Sequence, residues 1–258
     1  MKPAEITEEA ENFVQEKVEE AGAEGLVVGL SGGIDSATAL KLAVRSLGSE
    51  KVTAPIMPGE PSREDNMEDA RELAEELDVE IHEIEIKDAV KAFEGELPFE
   101  PGKEGLGNVR ARIRMAYLYS FANEENMLVL GTGNRTEYLL GYFTKYGDGA
   151  TDIAPLLDLY KTEVRELARQ IGLDRKFIEK EPTAGLWEGQ TDENELGASY
   201  EQIDVVLKKL VDMEESVEEI ARSEGLEKEK IEDLEEMYRA SEHKRQGTKG
   251  LNLFDRSV

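Results

Sequence analysis

The sequence predicts an α/β fold: a doubly wound, open parallel sheet with helices on both faces and a helical C-terminal part. Three observations carry this. Short apolar runs bounded by turn residues recur at 25–30, 52–57 and 127–130, with a further strand at 79–86. Amphipathic stretches at helical spacing lie between them. Strands alternating with helices imply parallel neighbours joined by right-handed crossovers. The 258 residues suit one large domain, and 1–258 is expected to be a single one.

The elements follow in order. Ile6, Ala10, Phe13, Val14 and Val18 mark a helix over 4–21. Residues 25–30 (GLVVGL) form a buried strand, and 36–47 a helix ended near Gly48. Residues 52–57 form a second strand, cut by Pro58-Gly59. A helix over 62–77, capped by Ser62, leads to a third strand at 79–86. A helix over 108–123 precedes the fourth strand at 127–130. From 141 to 152 glycines and charges break the pattern, and a helix resumes over 161–171. Residues 181–197 read as a long loop of a length usually kept for function. Trp187 within it either covers a site or packs. Helices over 200–210, 217–223 and 227–240 and a loop-like tail from 241 complete the chain.

Composition removes several classes. There is no cysteine, so disulfides, thiolate metal sites and cysteine nucleophiles are excluded. Two histidines, His82 and His243, cannot build a histidine-rich metal centre. Any metal is therefore hard and oxygen-bound, with Mg²⁺ the expected ion. No apolar run approaches the ~20 residues that span a bilayer, and the acidic start MKPAEITEEAENF has no signal-peptide core. A soluble, cytoplasmic protein is expected. The net charge of −27 opposes nonspecific binding to nucleic acid or anionic lipid. It reads either as plain solubility or as adaptation to high salt. Glu outnumbers Asp roughly three to one and lysines stay common, which counts against the second.

The strongest local signal is Gly29-Leu30-Ser31-Gly32-Gly33-Ile34-Asp35-Ser36, between a buried strand and a helix. Its glycines let the backbone turn sharply, and its N–H groups with the helix N-terminus make an anion site. The lysine of a Walker A loop is missing. Neutralising a triphosphate then calls for a metal, which Asp35 is placed to hold. The bland alternative is an ordinary strand–turn–helix with a serine cap.

The SGGIDS string resembles the pyrophosphate-binding loop of the ATP pyrophosphatase superfamily, whose fold is adenine nucleotide alpha hydrolase-like. Further along come Gly131-Thr132-Gly133-Asn134-Arg135-Thr136-Glu137, then GYFTKYGDG at 141–149 and Asp152. Lys161, Glu181-Pro182-Thr183-Ala184 and Glu242-His243-Lys244-Arg245 follow. This ordered series resembles the NAD synthetase family from about residue 5 to 255. Many bacterial members carry His-Ala-Ala-Glu where this chain has Asn134-Arg135-Thr136-Glu137; the glutamate is kept.

The resemblance implies ATP-dependent amidation of deamido-NAD by free ammonia, through an adenylated intermediate. It implies that Gly29 to Ser36, Thr132, Lys161 and Thr183 bind ATP, and that Asp35 and Glu137 hold Mg²⁺. It implies that Arg112, Lys145, Asp152, His243 and Lys244 hold deamido-NAD. No certain general base is visible, and Asp152 is the weak candidate. Each role has a plainer counterpart: a carboxylate as a helix cap, or Lys161 as a solvated lysine. The family also implies a homodimer, for which 4–21 and 108–123 are interface candidates. Glutamine-using relatives add an amidase with a cysteine nucleophile. With no cysteine, and a nucleotide-binding domain starting near residue 25, such a domain is not expected. Two alternatives make different demands: a tRNA-modifying enzyme would want a basic surface and reactive cysteines, and an ATP-holding sensor would need neither Glu137 nor 141–149.

Overall fold

The computed structural model describes residues 2–60, 62–183 and 191–249. Four parallel strands form the sheet: β1 (Gly25–Val27), β2 (Val52–Ile56), β3 (Glu80–Glu83) and β4 (Met127–Val129). Their order is β3-β2-β1-β4. One parallel bridge, Leu130 to Ile153, extends the sheet beyond β4. The order reverses between β1 and β4. In an open parallel sheet that reversal is the switch point, where a crevice opens beyond the strand ends.

Side chains alternate across β1, as a pleated strand requires. Leu26, Val28 and Leu30 enter the main core with residues of α1 (Pro3–Ala21), α2 (Ile34–Leu47), α3 (Glu64–Glu76) and, beyond β4, α7 (Lys161–Gln170). Val27 and Val129 enter a smaller cluster on the opposite face, under α5 (Lys103–Glu124). Both faces are covered, as the doubly wound reading requires. The ladder outlasts the assigned strands: Leu30 N–H donates to Pro55 O and Ile86 N–H to Pro58 O. The expected strand ends at 30 and 86 are therefore bonded, though irregular.

Several short helices were not foreseen: α4 (Lys87–Gly95), α6 (Arg135–Leu140), α8 (Arg175–Glu179), α9 (Asp192–Leu196) and α13 (Glu242–Arg245). Helix α9 lies inside the stretch expected to be loop. Helix α5 begins five residues before the predicted start. Ser62 does not cap α3, whose N-cap is Arg63; its hydroxyl instead accepts from the Gly59 N–H. Trp187 and Ala184 lie outside the described residues.

The C-terminal helices α10 (Tyr200–Leu207), α11 (Val217–Glu224) and α12 (Lys228–Ala240) build a second apolar cluster with α6 and α9. Residues 208–212 close α10 with a π-type turn. No helix among the described residues is long and apolar enough to cross a membrane.

Candidate active site

The SGGIDS loop leaves β1 and enters α2 at the switch point. Gly32 adopts φ +77°, and a Cβ there would lie 2.0 Å from the Asn66 carbonyl oxygen of α3. Only glycine fits, on both counts. Ser31 and Ser36 hydroxyls lie 3.0 Å apart, Ser36 Oγ accepts from Ser31 N–H, and Gly33 N–H donates to Ser31 Oγ. The N-cap of α2, Gly33, supplies no side chain to its first amides, so they remain available to an anion. Leu30 and Ile34 point into the core; of these two, only the backbone faces the loop's concave side. Behind the loop, Lys180 Nζ donates to Gly32 O at 3.3 Å and to Asn66 Oδ1 at 2.9 Å.

Asp35 starts α2, after β1; Glu137 starts α6, after β4. The ammonium of Lys161, first residue of α7, lies 2.5 Å from Asp35 Oδ2 and 3.3 Å from Glu137 Oε1. Lys161 is 2% exposed, which rules out the solvated reading. It also lies over the Tyr200 ring, 5.1 Å from its centroid. Burial alone pulls this ammonium down, but Asp35 and Glu137 outweigh it and hold it above the usual lysine value. Burial pushes the Glu137 carboxyl above the usual range; Lys161 pulls it back, while Asp35 and Asp192 push it up again.

The two carboxylates thus share one cation and retain excess negative charge. That donor set, hard oxygens with surplus charge, fits Mg²⁺. Among the described residues no three or more acidic or histidine side chains converge on one point. One or two carboxylates are what a magnesium site commonly draws from protein.

Four of the five residues assigned to the dinucleotide are contiguous. Arg112 on α5 donates from Nε and Nη2 to Lys145 O at 3.3 and 3.2 Å. Lys145 Nζ donates to His243 O at 2.6 Å. Lys244 Nζ donates to Gly141 O at 2.6 Å and Phe143 O at 2.8 Å. Burial lowers the Lys244 pKa, countered by Asp148 and Glu104. Arg112 and His243 are exposed. Gly141, in the left-handed region, lies where a Cβ would meet Ser241 Cβ at 2.2 Å, so the 141–149 turn is seated on the start of α13. Arg114, two residues along α5, turns away to Met57 O at 3.0 Å.

Asp152 is engaged elsewhere. Its carboxylate accepts from Val129 N–H at 2.7 Å and from Tyr119 O–H at 3.1 Å, and burial pushes that phenol up to about 12. Thr132 stands half-buried between β4 and α6, and Thr183 half-buried after α8.

Sequence reasoning missed four site residues. Asn134 is buried; its Nδ2 donates to Asp35 Oδ1 at 3.1 Å and its Oδ1 accepts from Glu137 N–H at 3.0 Å. It thereby ties the two carboxylates together, in the replaced part of the His-Ala-Ala-Glu string. The signal was readable: Asn134-x-x-Glu137 is a capping box. Asp192 accepts from Tyr200 O–H at 3.0 Å and Tyr142 O–H at 3.2 Å. Asp204 accepts from Thr136 and Thr162. Tyr200 and Asp204 stand on the apolar face of α10, where polar groups signal a buried task.

An uncapped glycine-rich loop beneath a lysine-bridged carboxylate pair, at the switch point of a parallel sheet, defines an ATP pyrophosphatase-type nucleotide enzyme. The NAD synthase family profile matches residues 6–248, and this chain belongs to that family. It is 51% identical over 234 residues to an NH3-dependent NAD⁺ synthetase of Thermococcus kodakarensis, covering 91% of each chain. It also superposes on the NMN synthetase of Francisella tularensis (37% identity, TM-score 0.87, 98% of this chain and 100% of that one). The NH3-dependent NAD synthetase of Campylobacter jejuni is similar too (36%, TM-score 0.83, the same coverage).

Proposed function

We propose that this chain amidates the nicotinate carboxylate of deamido-NAD to give NAD, consuming ATP and free ammonia. The observation that carries the site assignment is the Lys161 ammonium between Asp35 and Glu137 beside the SGGIDS loop. The carboxylate oxygen attacks the α-phosphorus of ATP, and the bond to the β-phosphate oxygen breaks, releasing pyrophosphate. Ammonia then attacks the acyl carbon of the mixed anhydride, AMP leaves with the bonding pair, and the nitrogen sheds a proton. Loop amides from Ser31 to Ser36 and the ammonium of Lys161 meet the phosphoryl charge that builds up. Asp35 and Glu137 would hold Mg²⁺, which would supply positive charge to the phosphate oxygens. Arg112, Lys145, His243 and Lys244 receive the anionic dinucleotide, and Thr132 and Thr183 complete the ATP contacts. Catalysis is mainly positioning and charge stabilisation. Asp152 remains the candidate to take the ammonium proton. The active species is a cytoplasmic homodimer, which sedimentation at assay concentration tests: a fully active monomer would refute it.

The deciding experiment measures pyrophosphate release and product with ATP, Mg²⁺ and either nicotinate dinucleotide or nicotinate mononucleotide. The second arm is included because the Francisella structure is described as an NMN synthetase. Ammonium chloride is compared with ammonia-free glutamine. Product from the dinucleotide with ammonium alone is expected, rising with pH as free ammonia forms. Equal NAD formation from glutamine, or release without any nicotinate substrate, refutes the reading.

A further inference from the structure

Asp204 is 5% exposed and carries a carboxylate into the interior of the C-terminal cluster. Its partners are neutral donors. Oδ1 accepts from Thr136 O–H at 2.5 Å, and Oδ2 from Thr162 N–H at 2.8 Å. Such a burial is costly without good hydrogen bonds, and an apolar residue would extend the α10 face at that place. The carboxylate is nevertheless tied to two helix starts. The N-cap of α7, Tyr160, makes no side-chain cap bond to its first turn. Asp204 provides that cap from another helix, at the positive end of the α7 dipole. Thr136 Oγ1, which donates to Asp204, also accepts the Lys161 N–H at 2.9 Å. Thr136 is the neighbour of Glu137, and Thr162 the neighbour of Lys161. One buried carboxylate therefore sets the first turns of α6 and α7 against each other.

We propose that Asp204 is a positioning residue that, through Thr136 and the first turn of α7, holds Glu137 and Lys161 in place against Asp35. Its carboxylate bonds to Thr136 and Thr162, the sequence neighbours of Glu137 and Lys161. The proposal rests on the reading that Glu137 and Lys161 serve the ATP site. A purely structural role would be to fasten the C-terminal cluster to the sheet. The two differ in what they protect: geometry at the ATP site, or stability alone.

The test uses the full chain with Thr136→Val, Thr136→Ser and Asp204→Asn, beside Glu137→Gln. MgATP affinity is measured by calorimetry, KM for each substrate by initial rates, and Lys161 acetylation by acetic anhydride through peptide mass spectrometry. Loss of one charge-assisted bond should weaken MgATP binding roughly tenfold in Thr136→Val and Asp204→Asn. KM for deamido-NAD, bound elsewhere, should stay within about twofold. Lys161, freed from its frame, should acetylate roughly tenfold faster without nucleotide. Thr136→Ser, which keeps the hydroxyl, should restore both the MgATP affinity and the Lys161 reactivity. Variants that lose melting temperature but keep wild-type MgATP affinity and Lys161 reactivity overturn the proposal. If Asp204→Asn does not fold, the Thr136→Val and Thr136→Ser pair decides. Normal turnover by Glu137→Gln defeats the site reading itself, and the proposal with it. An inactive Glu137→Gln beside unaltered Thr136→Val and Asp204→Asn defeats the positioning role alone.

Discussion

Two cationic regions handle their charge in opposite ways. Lys161 is buried, with a carboxylate on either side. Arg112, Lys145 and Lys244 lie nearer the surface and donate to backbone carbonyl oxygens of Lys145, His243, Gly141 and Phe143. Carbonyl oxygens satisfy the donors but do not cancel the charge. In the first region one lysine offsets one of two carboxylates, in a frame of helix starts. The second keeps a local positive surplus in a chain of net charge −27. The difference teaches where specificity and chemistry divide. On the proposed assignment, reacting phosphates would meet a preset geometry and the dinucleotide a patch held by a turn and a short helix.

The contrast is broken most sharply at the carboxylates. Asp35→Asn and Glu137→Gln should each cut turnover by about 100-fold or more, with circular dichroism and fold unchanged. Near-normal, Mg²⁺-dependent turnover in either would remove the metal seat. Arg112→Ala should be milder, raising KM for deamido-NAD roughly tenfold and leaving KM for ATP unchanged. A matching rise in both would mean that the two regions are not separate. The smallest effect is that of salt. Raising KCl from low to molar should lift the melting temperature by a few degrees, as self-repulsion is screened, while weakening the exposed patch's hold on substrate more than MgATP binding. A flat or falling melting curve would leave ordinary acidity as the account of the charge.

What was legible follows from how each signal arises. Buried parallel strands announce themselves as apolar runs, which located β1, β2 and β4; the partly exposed β3 shows instead as alternation, Val79, Ile81, Ile84 and Ile86 among polar residues. The loop was legible because glycine at Gly32 answers a backbone demand that no other residue meets. Helices α6, α8, α9 and α13 were missed because four to six residues are too few to show a period. Helix α4 was missed although its pattern, with Val90 buried, is long enough to show. Lys161 reads as a solvated lysine in isolation, since nothing nearby in sequence reveals carboxylates 24 and 126 residues away. The family resemblance supplied what local pattern could not. It named Arg112, Lys145, His243 and Lys244, and the fold brings them together. It did not name Asn134 or Asp204, whose work is to hold other residues still.

The Lys161 ion pairs also bear on how the chain is made. A buried acidic pair that had to wait for a divalent ion would leave a newly synthesised chain with uncompensated charge, as in proteins whose folding requires their metal. Here the polypeptide brings its own counterion, so folding is expected to proceed without magnesium. A chelator should abolish turnover and leave the melting temperature where it was; a chelator-induced fall would show that the resident lysine is not enough.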